Sequence, residues 1–251
     1  MDATERFSNR VEDYVRYRPH YPASVIGCLR TNCQLVETSV IADVGSGTGI
    51  LTELFLRQGN PVLAVEPNRK MREAGERLLH GYPRFQSIAG RAEEMTLPDQ
   101  SVDFVTAGQA FHWFDRDKAK AEFARILKAR GWVVLIWNER RAASSPFAEA
   151  YEHLLRDYAT DYEKIDHRQI TEEIIGQFYR GQFGLASFEH SQRFDFAGVR
   201  GRLLSSSYAP DATHARHAAM IAELRRIFET HQTKNEVVFD YETKVYYGRL
   251  G

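Results

Sequence analysis

The chain has 251 residues, of which 43% are hydrophobic and 27% are charged. This composition is typical of a folded globular protein and excludes a disordered one. The 33 Lys and Arg residues nearly balance the 34 Asp and Glu residues, and the net charge of -1 gives the chain no overall attraction to nucleic acid or to an anionic membrane.

The two cysteines are too few for a secreted disulfide scaffold and fit a reducing compartment. The first residues are polar and lead into no apolar segment, so we expect no signal peptide. No apolar run reaches the roughly 18 residues of a membrane span. We therefore expect a cytoplasmic protein with no nucleic-acid or membrane partner, and the composition leaves both a monomer and a homodimer open.

The hydrophobic pattern divides the chain into three parts. Residues 1–22 are polar and aromatic, end at Pro19 and Pro22, and are predicted to form an N-terminal lid segment. Residues 23–141 alternate short apolar runs with stretches of helical spacing. This alternation predicts strands at 40–44, 61–65, 85–89, 102–107 and 132–137, and helices at 23–29, 48–57, 68–79 and 117–128. Asn68 is a predicted N-cap, and Gly131 is predicted to end the helix before it.

Residues 142–251 have a different pattern. Helices are predicted at 146–158, after Thr171, at 199–208 and at 213–231, and strands at 185–196 and 236–247. Because the earlier strands are continuous apolar runs, they are expected to be buried on both faces. We predict a single α/β domain, a doubly wound, mostly parallel, Rossmann-like sheet of seven strands. An antiparallel edge strand and a C-terminal helical cap are predicted to complete it.

The strongest chemical signal is the turn after the first strand, which reads Asp43-Val44-Gly45-Ser46-Gly47-Thr48-Gly49. Glycines let a ligand approach the backbone, and the next helix offers free N–H groups. The dinucleotide pattern G-x-G-x-x-G requires glycine where this chain has Ile50, which disfavours an NAD-dependent oxidoreductase. Glu66, at the end of the second strand, can accept hydrogen bonds from two ribose hydroxyls, the alternative being a solvated loop charge.

This turn, the segment Ala64-Val65-Glu66-Pro67, and the stretch from Gly90-Arg91-Ala92-Glu93 to Asp103 resemble the class I S-adenosylmethionine-dependent methyltransferases over about residues 38–140. Two further motifs are similar to the small-molecule branch (methyltransferase type 11) that includes trans-aconitate methyltransferase-like proteins. They are Tyr14-Val15-Arg16-Tyr17-Arg18-Pro19-His20-Tyr21-Pro22 and Gln109-Ala110-Phe111-His112-Trp113-Phe114. The resemblance implies a core at residues 23–141 that binds S-adenosyl-L-methionine, completed by residues 142–251.

The resemblance also implies cofactor contacts along the whole length of that molecule. They are Asp43 near the methionine amine, Gly45 and Gly47 around the methionine moiety, Glu66 at the ribose, Pro67 beside the adenine, Ala92 at an adenine nitrogen, and Gln109 at the methyl-donor site. The family often has an aspartate before the alanine. This chain has Arg91 there, which cannot accept a hydrogen bond, and Glu93 is the candidate substitute.

Acceptor-binding residues are predicted from the lid segment, the loop after the fourth strand and the cap. They are Tyr14, Tyr17, Arg18, Tyr21, Trp113 and Tyr208. His112 is the candidate general base, or a donor to substrate, with a satisfied loop histidine as the alternative. Arg18 is interpreted as a clamp for a carboxylate of cofactor or substrate, or else as a surface arginine. No metal site is predicted, since the nine histidines are dispersed.

The predicted function is methyl transfer from S-adenosyl-L-methionine to a small acceptor by in-line displacement. A carboxylate and a phenolic hydroxyl are the candidate acceptor groups. Two alternatives stay open, a non-catalytic module that binds S-adenosylmethionine and, less favoured by the glycine spacing, an NAD-dependent oxidoreductase.

Overall fold

The computed structural model describes residues 10–160, 162 and 170–250. The strands of this part of the chain are β1 Ile41–Val44, β2 Val62–Val65, β3 Phe85–Ile88, β4 Val102–Gly108, β5 Leu127–Arg140, β6 Phe183–Phe194 and β7 Val237–Gly248. Its α-helices are α1 Val11–Tyr17, α2 Ser24–Cys33, α3 Ile50–Leu56, α4 Arg69–Leu79, α5 Arg116–Ile126, α6 Pro146–Tyr158, α7 Glu172–Phe178, α8 Phe196–Leu204 and α9 His217–His231. None of the helices in the described ranges is long and apolar enough to cross a membrane.

The strands form one sheet in the order β3-β2-β1-β4-β5-β7-β6. The first five strands pair in parallel, whereas β7 runs antiparallel to both β5 and β6. This arrangement confirms the predicted mostly parallel α/β sheet with flanking helices. The antiparallel strand β7 lies inside the sheet, and β6 is the edge.

Helices cover both faces of the sheet and bury its apolar strands. Every residue of β1 is buried. Ile41 packs in one core with Phe55, whereas the adjacent Ala42 packs in the other core with Phe123. Successive strand residues point to opposite faces, so a continuous apolar run is what a doubly covered strand requires. The predicted burial is confirmed for β1 but is wrong for β3, which lies at the edge of the sheet and has only Ile88 buried.

Local sequence signals set several helix boundaries correctly. The Asn68 side chain caps α4 by accepting a hydrogen bond from the Met71 N–H at 3.1 Å, and Thr171 caps α7 in the same way. Helix α6 spans the predicted residues, with Pro146 in its first turn. Helix α8 begins and ends a few residues before the predicted bounds, whereas α9 begins four residues late and ends at the predicted residue His231.

The prediction that Gly131 ends a helix is wrong. Helix α5 ends at Ile126, and Leu127 already has extended backbone at ψ 136 and begins β5. Gly131 lies within that strand, where a Cβ would stand 3.1 Å from the Asp103 carbonyl oxygen. The glycine therefore permits a close approach between β5 and the start of β4.

A third apolar core holds the cap onto the sheet. It joins α6, α8 and α9 to the first half of β7, through side chains such as Tyr151, Leu203, Leu224 and Phe239. Helix α1 packs against α8, and the Arg10 guanidinium donates to the carbonyl oxygens of Leu204 and Ser206, both at 2.8 Å. The part of the predicted lid segment at residues 1–9 lies outside the described residues.

Candidate active site

The glycine turn connects β1 to α3 and touches the end of β2. Gly45 and Gly47 have φ of +67° and +58°, a region that favours glycine. A Cβ on Gly45 would stand 2.6 Å from the Cβ of Ala110, so no side chain fits there. The N–H groups of Gly45 and Ser46 donate to the Val65 carbonyl oxygen at 2.9 and 3.1 Å, which fixes the turn against the second strand.

Glu66 is held in place by that same turn. Its carboxylate accepts hydrogen bonds from the Gly47 N–H at 2.8 Å and the Asn68 N–H at 2.7 Å. The side chain is buried, and burial raises the pKa of Glu66, while the two amide donors oppose this shift. Each oxygen accepts one amide bond and keeps one lone pair, so Glu66 can still accept two hydrogen bonds from a ligand.

Glu66 lines a cavity that we name the Glu66 cavity. Its walls include the predicted cofactor residues Gly45, Gly47, Glu66, Pro67, Ala92, Glu93 and Gln109, together with Asn68, Met71 and Phe114. The structure therefore brings together residues from four separate loops at the carboxyl ends of the parallel strands, where ligands of such sheets bind. Asn68, Met71 and Phe114 were not predicted as site residues.

Arg91 and Glu93 lie together at the edge of the Glu66 cavity. Glu93 Oε1 accepts a hydrogen bond from the Asp115 N–H at 2.8 Å, and its Oε2 lies 3.7 Å from Arg91 Nε. The carboxylate thus has one fixed oxygen and one oxygen shared with an exposed arginine.

Asp43 lies at the end of β1, behind the glycine turn, with no exposed surface. Its two carboxylate oxygens accept hydrogen bonds from the Thr52 hydroxyl at 2.6 Å and the Thr106 hydroxyl at 2.9 Å. Burial raises the pKa of Asp43 to about 6, and the two hydroxyl donors limit the shift. Asp43 is therefore a carboxyl group that titrates close to neutral pH.

A second cavity, which we name the Arg18 cavity, lies between the sheet and the cap. It is lined by the predicted residues Tyr14, Arg18, Tyr21, Asp43, Gln109, His112, Trp113 and Tyr208. Tyr17 does not line it. The Tyr17 ring instead covers Gly201 of α8 and lies 6.2 Å from the Phe194 ring, in a packing role.

The two cavities adjoin each other. Both are lined by Tyr14, Gly45, Gly108, Gln109 and Trp113. Gln109 has φ of +56°, unusual for a residue other than glycine, and its side-chain amide donates to the Asn138 carbonyl oxygen at 2.9 Å. Strain of this kind is often concentrated at functional sites. The His112 and Trp113 rings pack together at 4.7 Å on the Arg18 side of this junction.

Several polar residues of the Arg18 cavity were missed from the sequence, and four of them lie on elements around it. They are Asn138 and Arg140 at the end of β5, Glu152 on α6 and Arg202 on α8. Arg202 stands three residues after Val199 and one before Leu203, both fully buried, so helical spacing places it on the buried face. An arginine on an otherwise apolar helix face was the available signal. The described residues contain no cluster of side chains suited to a metal ion.

Residues 42–135 match a family described as a methyltransferase domain. The chain is 35% identical over 150 residues to an uncharacterized methyltransferase from Schizosaccharomyces pombe, a match that covers 59% of this chain and 58% of that relative. It is 26% identical over 244 residues to an uncharacterized methyltransferase-like protein of the same yeast, covering 96% and 93%. These matches support a class I S-adenosylmethionine-dependent methyltransferase.

The fold of this methyltransferase is also found in solved structures. A candidate type II methyltransferase from Anaeromyxobacter dehalogenans superposes with a TM-score of 0.66 at 20% identity, covering 93% of this chain and 98% of the other. The first yeast match spans little more than half of that relative's length. The aligned family region contains the glycine turn and Glu66, whereas Arg18 and the cap lie outside it.

Proposed function

We propose that this methyltransferase binds S-adenosyl-L-methionine in the Glu66 cavity and transfers its methyl group to a small acceptor in the Arg18 cavity. The observation that carries this proposal is the shared wall of the two cavities at Gly108 and Gln109. A ligand whose nucleoside end lies at Glu66 extends from there toward the acceptor cavity. The cofactor supplies a methyl group on a sulfonium, which is already a strong electrophile.

The fit of the cofactor is supported by the hydrogen-bond acceptors and the cavity around the glycine turn. Glu66 has one lone pair free on each oxygen for the ribose hydroxyls. Ala92 and Pro67 line the same cavity beside it, as expected for an adenine pocket. At the other end, the buried Asp43 carboxylate supplies a negative charge near the proposed position of the methionine ammonium.

The acceptor side is suited to positioning and to exclusion of water. Tyr14 and Tyr21 line the cavity from the N-terminal segment, Trp113 lines it from the loop after β4, and Tyr208 lines it from the segment after α8. Holding an acceptor atom in line with the methyl group supplies most of the rate enhancement. A carboxylate or phenolate acceptor requires little base catalysis, and His112 is the proposed base for a neutral hydroxyl.

An acceptor screen that measures release of S-adenosylhomocysteine tests this function. Carboxylic acids and phenols should be tried first, with each product identified by mass. We expect at least one small acid or phenol to gain a single methyl group. Tight binding of S-adenosylhomocysteine without turnover of any acceptor would instead support the non-catalytic binding module.

A further inference from the structure

Two arginines line the Arg18 cavity, Arg18 at the end of α1 and Arg202 on α8, without an acidic partner among the described residues. Arg202 is 7% exposed and donates to the Tyr241 hydroxyl at 3.1 Å and the Ser206 hydroxyl at 3.2 Å. Arg18 donates to the Ser205 carbonyl oxygen at 2.9 Å, and its Nε is buried with no acceptor in the described part of the chain. Neutral oxygens orient both guanidinium groups and leave their charges uncompensated.

Apart from Asp43, the other charged residues of this cavity form ion pairs. Arg140 forms an ion pair with Glu152, and Glu139 forms one with Lys244 at 2.7 Å. Asp43, at the opposite end of the cavity, accepts its hydrogen bonds from two threonine hydroxyls. Among the described residues that line the cavity, two positive charges therefore remain, on Arg18 and Arg202.

Leaving these two charges together is unfavourable in the free protein. Burial lowers the pKa of Arg18, and the charge of Arg202 lowers it further, so the two groups are close enough to repel each other. Burial also lowers the pKa of Arg202, but the surrounding tyrosines, Tyr241 first, raise it overall, so Arg18 is the group that carries the repulsion. Buried like charges destabilise a fold unless a counter-ion joins them. Guanidinium groups present rigid forks that suit the paired oxygens of a carboxylate or similar anion.

The cofactor cannot balance both arginines. S-adenosylmethionine has one carboxylate, and it also brings an ammonium and a sulfonium. If its carboxylate binds Arg18, the charge of Arg202 still has no partner. Any arrangement of the proposed cofactor therefore leaves at least one guanidinium for the acceptor.

We propose that the acceptor carries a carboxylate that is not methylated and that binds between Arg18 and Arg202, while a second group of the same molecule faces the methyl donor. This inference rests on the proposed function and narrows its substrate class to small acids with a second nucleophilic oxygen, such as dicarboxylates and hydroxy acids. The cap helix α8 then selects the substrate through Arg202.

A purely structural role and an anion-binding role for Arg202 predict opposite effects of its removal on the stability of the free protein. If its hydrogen bonds to Tyr241 and Ser206 hold the cap together, then Arg202→Met should lower the melting temperature of the free protein. If Arg202 binds an anion, the same variant removes an uncompensated buried charge. Its melting temperature should then equal or exceed that of the wild type in the absence of ligand.

The test is calorimetric titration of succinate, glutarate and adipate into protein saturated with S-adenosylhomocysteine. We expect at least one of these acids to bind, its neutral dimethyl ester to bind far more weakly, and Arg202→Met to weaken acid binding at least tenfold. The matched control is Arg200→Met, an exposed arginine on the same helix, which should bind like the wild type.

The outcomes separate the two proposals. If S-adenosylhomocysteine binds but the acids bind no better than their esters, or bind Arg202→Met as well as the wild type, the anion site is overturned and the proposed function stands. A lower melting temperature of Arg202→Met in the absence of ligand, with Arg202→Lys restoring both stability and acid binding, shows that Arg202 acts by holding the cap together and also overturns it. Failure of the wild type to bind S-adenosylhomocysteine overturns both.

Discussion

At the scale of single residues, the two carboxylates of the site are held by different kinds of donor. Glu66 accepts from two backbone N–H groups, whereas Asp43 accepts from two threonine hydroxyls. Burial raises the pKa of both groups, and Asp43 is the more deeply buried of the two. Backbone donors cannot rotate away, so Glu66 is the more rigid acceptor of the two. The charge of Asp43 depends on the pH, because its raised pKa of about 6 lies close to neutrality.

Replacement of Glu66 by alanine tests the ribose contact. We expect Glu66→Ala to weaken S-adenosylhomocysteine binding by about 1.5–3 kcal/mol, since hydrogen bonds to a charged group are lost. Calorimetry measures the change, and Glu73→Ala on the exposed side of α4 is the control that should keep wild-type affinity. Unchanged affinity in a folded Glu66→Ala protein would remove Glu66 from the site.

The raised pKa of Asp43 predicts a pH dependence of binding. The ionised form attracts the methionine ammonium, so affinity for S-adenosylhomocysteine should fall as the pH drops below about 6, by up to about tenfold per pH unit. Asp43→Asn should bind weakly and lose this dependence. Measurement of the dissociation constant of both proteins from about pH 5 to about pH 8 checks this prediction. The same slope in both proteins would show that another group titrates.

The raised pKa of Asp43 also determines how the free energy of unfolding changes with pH. The folded pKa of about 6 exceeds the ordinary value of 3.8, so folding favours the protonated carboxyl group. The contribution of Asp43 to the free energy of unfolding is complete below about pH 4 and is lost as the pH rises through about 6. The ionised form of Asp43, which we propose attracts the methionine ammonium, is therefore maintained at a cost in stability.

At the scale of elements, α1 depends on the cap for its position. None of its seven residues is buried. The contacts that hold it run from Arg10 and Arg18 to carbonyl oxygens at the end of α8, and from the Tyr17 ring to Gly201. Helix α1 and α8 are therefore expected to move together over the Arg18 cavity.

Hydrogen exchange tests this coupling. Amides of α1 should exchange faster in the free protein than with S-adenosylhomocysteine bound, because Tyr14 then gains contacts in both cavities. Helix α2, whose apolar face is buried in the core beneath the sheet and lines neither cavity, serves as the internal control and should be equally protected in both states. Equal protection of α1 with and without ligand would show an ordinary packed helix and no lid.

The predicted elements succeeded where one local signal decided the structure. Asn68 and Thr171 are residue types that strongly favour the N-cap position, and both were predicted as N-caps. The prediction of where α5 ends failed because two sequence signals competed. The exposed residues Lys128, Ala129 and Arg130 continue a helical pattern, while pairing with β4 extends the chain from Leu127 onward. Long-range pairing of this kind has no local sequence signature.

At the scale of the whole molecule, the two halves of the site differ in how far the sequence predicts them. The Glu66 cavity is built by short motifs at strand ends, and a consistent order of strands brings those ends to one edge. The Arg18 cavity is built by distant segments, with 187 positions between Arg18 and its partner Ser205. Arg140, Glu152 and Arg202 could not be assigned to one cavity without the fold.

The central claim is that the Glu66 cavity binds S-adenosylmethionine and not a dinucleotide. Calorimetric titration of S-adenosylhomocysteine and of NADH into the wild-type protein tests it most directly, with Gly47→Val as the variant. Gly181→Val is the matched control, since Gly181 also has positive φ, at +82°, but open space around its Cβ position. We predict that S-adenosylhomocysteine binds one site in the wild type and in Gly181→Val, that Gly47→Val abolishes this binding, and that NADH does not bind. Binding of NADH without S-adenosylhomocysteine, or unchanged S-adenosylhomocysteine binding by Gly47→Val, would contradict the account.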